Sequence, residues 1–93
     1  MYAVEASSVA ESTRELIFAN GLSGKIEVVP EKIEDIREER VERNSIDVIV
    51  SEPLGTFLFN ERMLETYVIA RDMFLKEGGK MFPAAANFCI VPF

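Results

Sequence analysis

Two glutamates bracket the segment SEPLGTFLFNE: Glu52 follows a run of β-branched residues, and Glu61 lies in the first turn of a predicted helix. In open α/β sheets the carboxyl ends of the strands form the ligand side. Two carboxylates that converge there suit a guanidinium group, which is planar, always charged and equipped with donors in a fixed fork. Bidentate contacts would fix its plane and leave one nitrogen lone pair aimed at a methyl sulfonium. The pair therefore predicts a site that orients a guanidinium for methyl transfer.

A second pair of glutamates follows the first two predicted strands. Glu5 ends the segment MYAVE, and an acidic side chain at such a strand end can accept hydrogen bonds from both hydroxyls of a ribose. Glu34 follows the next strand in KIED, where a carboxylate could accept a hydrogen bond from the exocyclic amine of adenine. Each residue also has a plainer interpretation, because a glutamate at a strand end or in a charged run is more often solvated.

The sequence lacks residues that several other chemistries need. It has no histidine, no tryptophan and no GxSxG motif, which disfavours a serine or cysteine hydrolase and the aromatic-lined sugar cleft of a glycosidase. Cys89 is the single cysteine, so an intramolecular disulfide and a zinc site are both disfavoured, and we predict no metal. We interpret Cys89 as a packing residue.

Charge and hydropathy favour a protein that binds neither nucleic acid nor membrane. The net charge is −6, which disfavours binding to a phosphate backbone and favours cationic substrates, although solubility alone would also explain it. The amino terminus has no basic leader followed by an apolar stretch and a cleavage site, and no apolar run approaches membrane-spanning length. We therefore expect a soluble, intracellular protein.

Short apolar runs bounded by turn residues predict the strands and extended segments. The run IDVIVS is rich in β-branched residues and nearly continuous, which predicts a strand covered on both faces, as in a parallel sheet. The predicted strands and extended segments are 1–5, 25–30, 46–51, 80–83 and 87–93.

Two helices are predicted between these strands. A capping box from Ser8 to Glu11 predicts a helix over 9–20, with Asn20-Gly21 as its stop. Asn60 is predicted to cap a second helix that closes at Gly78-Gly79.

The order of these elements predicts an α/β fold. Between the second and third strands, the charged segment 31–44 predicts only a short amphipathic turn. Strands that alternate with helices build a parallel sheet with right-handed crossovers, and the chain has room for one domain at most. In such sheets a glycine-rich turn precedes the acidic end of the second strand by about 20 residues. We expect that turn to lie upstream of Met1.

Several segments resemble motifs of the protein arginine methyltransferases. SEPLGTFLFNERMLE is similar to their double-E signature, and YAVEAS, KIED and KMFP match further motifs in the same order. The asparagine in LFNE and the proline after Glu52 are most similar to the coactivator-associated (type I, histone-arginine) branch. The resemblance covers essentially the whole chain.

The resemblance implies a fold and a domain arrangement. The expected fold is a partial Rossmann-like class I S-adenosylmethionine-dependent methyltransferase core that ends at the start of the β-barrel. Residues 1–83 would belong to the cofactor-binding methyltransferase domain, without its first strand and glycine-rich turn, and 84–93 would form the first strand leading into the barrel. We expect such a fragment to be inactive alone.

The resemblance also implies roles for individual residues. Glu52 and Glu61 would be catalytic and would bind the substrate guanidinium, while the cofactor would be S-adenosylmethionine. Met63 would pack near the methionine end of the cofactor, although core filling explains it equally well. The other cofactor-binding residues would bind ribose, the adenine amine and the adenine surroundings, and they are Glu5, Glu34, Ala6, Ile33 and Thr66.

The implied function is methylation of arginine in proteins such as histone tails. The implied partners are an arginine-rich protein substrate and a second copy in a full-length homodimer, with self-association of the fragment through an exposed sheet edge. Nucleus and cytoplasm are the expected locations. The chain departs from the family at Thr56, where a tyrosine is usual, which leaves a catalytically dead, protein-binding module as the alternative function. Another methyltransferase, with an asparagine-proline-proline-tyrosine loop, is disfavoured by the paired glutamates.

Overall fold

The structure is a computed structural model that describes residues 1–93 and contains four strands and two α-helices. The predicted alternation of strands and helices is confirmed. Its elements are, in chain order, β1 (Tyr2–Val4), α1 (Val9–Ala19), β2 (Glu27–Val29), a 3₁₀ turn (Ile33–Asp35), β3 (Ile46–Val50), α2 (Met63–Phe74) and β4 (Leu75–Phe82). They form two compact units: an amino-terminal unit, Met1–Ile36, and a carboxyl-terminal unit, Arg37–Phe93.

In the amino-terminal unit, β1 and β2 form a parallel pair crossed by α1. The register places Val4 opposite Val29. Val29 is fully buried, and Ala10 of α1 is buried in the same unit. The helix α1 therefore packs against β2 with Ala10 as its buried residue. The larger apolar side chains of this helix that stay exposed are Val9, Leu16 and Phe18.

The two ends of α1 are stabilised differently from one another. At the carboxyl end, Gly21 has a φ of 67° and its N–H donates to Phe18 O, while Leu22 N–H donates to Ile17 O at 2.9 Å. This is a Schellman motif, in which the left-handed conformation favours glycine, and it confirms the predicted stop. At the amino end the predicted capping box is wrong. Ser8 already has helical dihedral angles, and Ser7 Oγ instead accepts the Val9 N–H at 3.2 Å.

In the carboxyl-terminal unit, β3 and β4 form a second parallel pair, with Val50 opposite Phe82. The helix α2 packs on this pair and buries Tyr67, Ala70 and Phe74. The Tyr67 hydroxyl donates to Pro83 O at 2.9 Å, and burial raises the pKa of Tyr67. The end of β4 is thereby tied to the helix.

The predicted limits of the second helix are wrong at both ends. Arg62 has a left-handed backbone, with a φ of 57°, so the helix begins at Met63, and Asn60 is not its cap. At the other end Leu75 is extended and pairs with Ile46, so the helix ends at Phe74, before Gly78 is reached. Strand pairing thus overrides the helical pattern of the sequence in this segment.

The prediction that β3 is covered on both faces is wrong for this chain. Val48 is 46% exposed and Val50 is 74% exposed. The reason is that β3 is hydrogen-bonded to β4 alone and that α2 is the one α-helix of the carboxyl-terminal unit, so it covers a single face.

The strands form two pairs, and no ladder joins them into the single sheet that the alternation predicts. The pairs β1–β2 and β3–β4 are those that strands 2–3 and 4–5 make in the doubly wound order 3-2-1-4-5. The local pairing is therefore that of an α/β doubly wound fold. No helix is long and apolar enough to cross a bilayer.

Residues 84–93 form neither helix nor strand. Phe88 in this segment lies against Phe57, with ring centroids 6.3 Å apart and planes inclined by 48°. The assignment of 84–93 to a barrel strand, and of 1–83 to one domain, stays a prediction.

Candidate functional site

Glu52 lies two residues after Val50, the last residue of β3. Ser51 N–H donates to Phe82 O at 3.0 Å, which continues the pairing to the residue before Glu52. Pro53, directly after it, is fully buried. Because proline disfavours helical dihedral angles in the residue before it, an extended backbone is expected at Glu52. Its side chain is exposed at the carboxyl end of β3, as the sequence predicts.

The loop after Glu52 turns back on itself. Gly55 and Leu58 form an antiparallel bridge, with the Leu58 N–H donating to Gly55 O at 2.9 Å. Asn60 Oδ1 accepts the Phe57 N–H at 3.2 Å. We call residues 55–60, closed by these contacts, the glutamate turn, because Glu61 follows it directly.

The glutamate turn brings the side chain of Glu61 back to Gly55. A Cβ atom added at Gly55 would lie 2.9 Å from Glu61 Cγ, so the stem of the Glu61 side chain runs against the Gly55 backbone. Gly55 is three residues after Glu52, which limits the distance between their Cα atoms to about 11 Å. Both glutamates are exposed, and neither accepts a hydrogen bond or forms an ion pair within the chain. Glu61 thus lies against Gly55, Glu52 precedes that glycine by three residues, and both carboxylates are unpaired, as guanidinium binding needs.

Glu5 lies at the corresponding position of the amino-terminal unit. Its N–H donates to Val29 O at 3.0 Å, which continues the β1–β2 pairing, and its Oε1 accepts the Ser7 N–H at 2.8 Å. Ser7 lowers the pKa of the Glu5 carboxyl, first through a hydrogen bond from its hydroxyl and next through the one from its backbone amide. The carboxylate is therefore ionised at neutral pH and keeps lone pairs for the two hydroxyls of a ribose.

The remaining predicted cofactor residues of this unit lie at the same sheet edge as Glu5. Because β1 and β2 are parallel and Val4 is opposite Val29, both strands end at one level. Ala6 comes directly after Glu5 and is exposed, and the 3₁₀ turn after β2 carries Ile33, which is partly buried, and Glu34, which is exposed. An apolar side chain beside an exposed carboxylate suits the face and amine of an adenine.

Met63 and Thr66 belong to the first turn of α2, in the carboxyl-terminal unit. Their spacing of three residues places them on one side of the helix. Met63 is 40% exposed, which disfavours simple core filling, and Thr66 is partly buried. Their contact with the cofactor stays a prediction.

The sequence did not single out Gly55, and it assigned Asn60 to the wrong element. A signal was present, because glycine and asparagine are both typical of turns, and an asparagine side chain often bonds to a nearby backbone group. The LFNE segment was interpreted as a helix start instead. The side chain of Asn60 closes the glutamate turn.

The titration of Glu5 gives a first test of this geometry. We expect its carboxyl to titrate below the ordinary value near 4.5, and Ser7→Ala to raise its pKa partway back, since the backbone bond remains. Because the folded pKa is the lower one, the stability from this contact is full above the unfolded pKa and is lost as the pH falls through the folded pKa. Carboxyl carbon shifts followed by NMR against pH measure both proteins, with Ser23→Ala as the control. An unshifted Glu5 in the unmodified chain would contradict the contact.

The chain is similar in sequence to known methyltransferases. No protein-family model matches the chain. Over its full length it is 55% identical to the probable histone-arginine methyltransferase 1.4 of Arabidopsis thaliana and 50% identical to the probable histone-arginine methyltransferase CARM1 of Oryza sativa subsp. indica. It is 46% identical to the histone-arginine methyltransferase CARMER of Culex quinquefasciatus. The chain spans 17%, 17% and 15% of the lengths of these relatives.

Two solved structures share the fold. Protein arginine methyltransferase 10 of Arabidopsis thaliana superposes with a TM-score of 0.79 at 41% identity, over 87% of this chain and 22% of that one. The Trypanosoma brucei PRMT1 enzyme-prozyme heterotetrameric complex with AdoHcy gives 0.79 at 36% identity, over 88% of this chain and 25% of the other.

The α/β units with parallel strands and acidic strand ends therefore have the fold of a class I S-adenosylmethionine-dependent methyltransferase. Within that class, the similarity along the full chain places it in the protein arginine methyltransferase family. The suspected resemblance is confirmed, including its histone-arginine branch.

Proposed function

We propose that this chain is part of the catalytic core of a protein arginine N-methyltransferase, which transfers a methyl group from S-adenosylmethionine to a guanidinium nitrogen. The observation that carries the proposal is the glutamate turn, which sets Glu61 beside Gly55, close in sequence to Glu52, with both carboxylates unpaired. The proposal is supported by 55% and 50% sequence identity, over the whole of this chain, to two probable histone-arginine methyltransferases.

Glu52 and Glu61 have the same role in the proposed reaction. Glu52 and Glu61 bind the guanidinium through its N–H groups, which holds its plane and draws positive charge away from the reacting nitrogen. Either carboxylate, or water, accepts the proton that this nitrogen loses. The cofactor supplies an electrophilic methyl group on a sulfonium.

The residues of the amino-terminal unit fit the nucleoside of that cofactor. Glu5 is ionised and at a strand end, where it can accept from the ribose hydroxyls, and Glu34 follows the adjacent strand, where it can accept from the adenine amine. Ala6 and Ile33 would border the adenine, and the AdoHcy named in the trypanosomal structure supports the same ligand class. These roles, and a Rossmann-like arrangement of the whole sheet, belong to the proposal.

The proposed substrates and partners follow the relatives. Histone tails and other arginine-rich proteins are the proposed substrates, and the negative net charge of the chain favours such cationic partners. A full-length homodimer is proposed, and the heterotetramer named for the trypanosomal relative supports oligomerisation in general. Nucleus and cytoplasm are the proposed locations, since histone substrates are present in both. The exposed edge of β3 supports self-association of the 93-residue chain.

The test is a graft, because the chain corresponds to 17% of the Arabidopsis relative and we propose that it transfers no methyl group alone. The matching segment of histone-arginine methyltransferase 1.4 is replaced by residues 1–93, and transfer of radiolabelled methyl to a histone tail peptide is measured. We expect transfer within about tenfold of the parent. A folded graft that binds S-adenosylhomocysteine but transfers nothing would overturn the proposal.

A second candidate function, a non-catalytic protein-binding module, is favoured by Thr56. This exposed residue of the glutamate turn is threonine where the family usually has tyrosine, which removes an aromatic wall from the expected arginine site. The same graft separates the two candidates, since a binding module would retain the histone peptide without methylating it. Thr56→Tyr in the graft then shows whether the missing ring accounts for the lost activity.

A further inference from the structure

The position of Glu61 is not set by α2. The helix begins at Met63, and Arg62, between the two, has a left-handed backbone. Arg62 pairs through its guanidinium with Glu65, one turn into the helix. A side chain before such a break is not held by the helical hydrogen bonds, so its direction depends on the segment that precedes it.

That segment is the glutamate turn, and the side chain of Asn60 closes it. Asn60 Oδ1 accepts the Phe57 N–H at 3.2 Å, and this backbone group belongs to a residue three positions earlier. The bond ties the residue directly before Glu61 to the middle of the turn. Side-chain amides of asparagine commonly replace a backbone acceptor in this way.

Gly55 fixes the other side of the Asn60 side chain. A Cβ atom at position 55 would overlap Asn60 Oδ1 and lie 2.8 Å from Asn60 Cγ and 2.9 Å from Glu61 Cγ. The Asn60 amide therefore fills the space that only a residue without Cβ leaves open. Asn60 and Glu61 pack as neighbours on the same glycine, so a shift of the first side chain moves the second.

We propose that Asn60 is a positioning residue for Glu61: its side-chain carbonyl holds the glutamate turn closed, so that the Glu61 carboxylate leaves the turn beside Gly55. The inference deepens the proposed function and rests on it. Asn60 contacts no substrate in this account, and it acts through Glu61. Loss of its side-chain carbonyl lowers the rate of methyl transfer and leaves the affinity for the cofactor unchanged.

Two substitutions at position 60 distinguish the effect of the hydrogen-bond acceptor from the effect of side-chain volume. Asn60→Leu keeps the size and removes the acceptor, whereas Asn60→Asp keeps an acceptor oxygen. In the 93-residue chain, we expect Asn60→Leu to speed hydrogen exchange of the Phe57 amide about threefold to tenfold, and Asn60→Asp to retain the protection. Unchanged exchange at the amides of α2 shows that the unit stays folded. Asn87→Leu, at an exposed asparagine of the same unit, is the matched control.

The kinetic arm uses the graft that tests the proposed function. Asn60→Leu is expected to lower kcat about tenfold to a hundredfold, since small misplacements of a reacting group have effects of this size. The KM for S-adenosylmethionine should stay constant, and Asn60→Asp should restore most of kcat. Gly55→Ala, which displaces the Asn60 amide from the other side, should lower kcat in the same way.

The outcomes distinguish this inference from the function on which it rests. If Glu61→Gln abolishes transfer while Asn60→Leu leaves kcat and the Phe57 amide as they are in the unmodified protein, Asn60 positions nothing and only this inference fails. If the unmodified graft transfers no methyl group, the proposed function fails. If the graft is active and Glu61→Gln leaves transfer intact, the guanidinium role of Glu61 fails, and the inference about Asn60 fails with it. A loss in Asn60→Leu that Asn60→Asp repairs supports both.

Discussion

Glutamine in place of Glu61 is expected to lower methyl transfer by the grafted enzyme about a hundred- to a thousandfold, the usual effect of removing one preorganised electrostatic contact from a reacting group. The amide keeps the size of the side chain and loses the charge that pairs with the guanidinium. Glu52→Gln should have an effect of the same order, because both carboxylates hold the guanidinium plane. The measurement is kcat/KM for a histone tail peptide.

Two controls test whether the loss of transfer is specific to Glu52 and Glu61. Glu77→Gln changes an exposed carboxylate of the same unit, within β4, and should leave transfer unchanged. Binding of S-adenosylhomocysteine by calorimetry should stay the same in all three variants, since Glu52 and Glu61 act on the substrate. If Glu52→Gln and Glu61→Gln, as single variants, both transferred methyl at the rate of the unmodified graft, guanidinium binding by this pair would be excluded.

The largest expected effect on stability comes from Phe74→Ala. Phe74 ends α2 and is 3% exposed, in the core between that helix and the β3–β4 pair. Truncation of a buried phenylalanine reduces the free energy of unfolding by about 3–5 kcal/mol, which is a large part of the stability of a small domain. We therefore expect the carboxyl-terminal unit to unfold at much lower urea concentration.

Phe18→Ala is the matched control for that substitution. Phe18 also lies in a helix but is 78% exposed, so its truncation should change the free energy of unfolding by less than about 0.5 kcal/mol. Urea denaturation followed by circular dichroism measures both variants. Equal midpoints would show that Phe74 does not stabilise the folded unit.

The sequence predicted the elements better than their boundaries or their assembly. All four strands of the structure and the stop of α1 at Asn20-Gly21 were predicted, because periodicity and a left-handed glycine are local signals. The end of α2 was wrong because Leu75 pairs with Ile46, a contact that local propensity does not contain. The burial of β3 was wrong because it depends on neighbouring elements rather than on its own residues.

The candidate site was predicted to the level of strand ends. Glu5 directly follows β1 and Glu52 lies two residues after β3, so each is found at the end of a strand, as the sequence predicts. Glu61 lies on a turn instead of a helix, because Arg62 interrupts the predicted helix start. The contact between Asn60 and Phe57 was beyond prediction, because Asn60 serves equally well as a helix cap or as the acceptor of a turn.

The burial of Pro53 has a consequence for redesigning this region. Since Pro53 is buried and restricts the residue before it, the backbone direction at Glu52 is limited by β3 and Pro53 rather than by residues 55–60. Positions 56–59 can therefore be varied or exchanged between relatives while one acidic wall keeps its place. A library confined to those positions would retune which cation is recognised without rebuilding the scaffold.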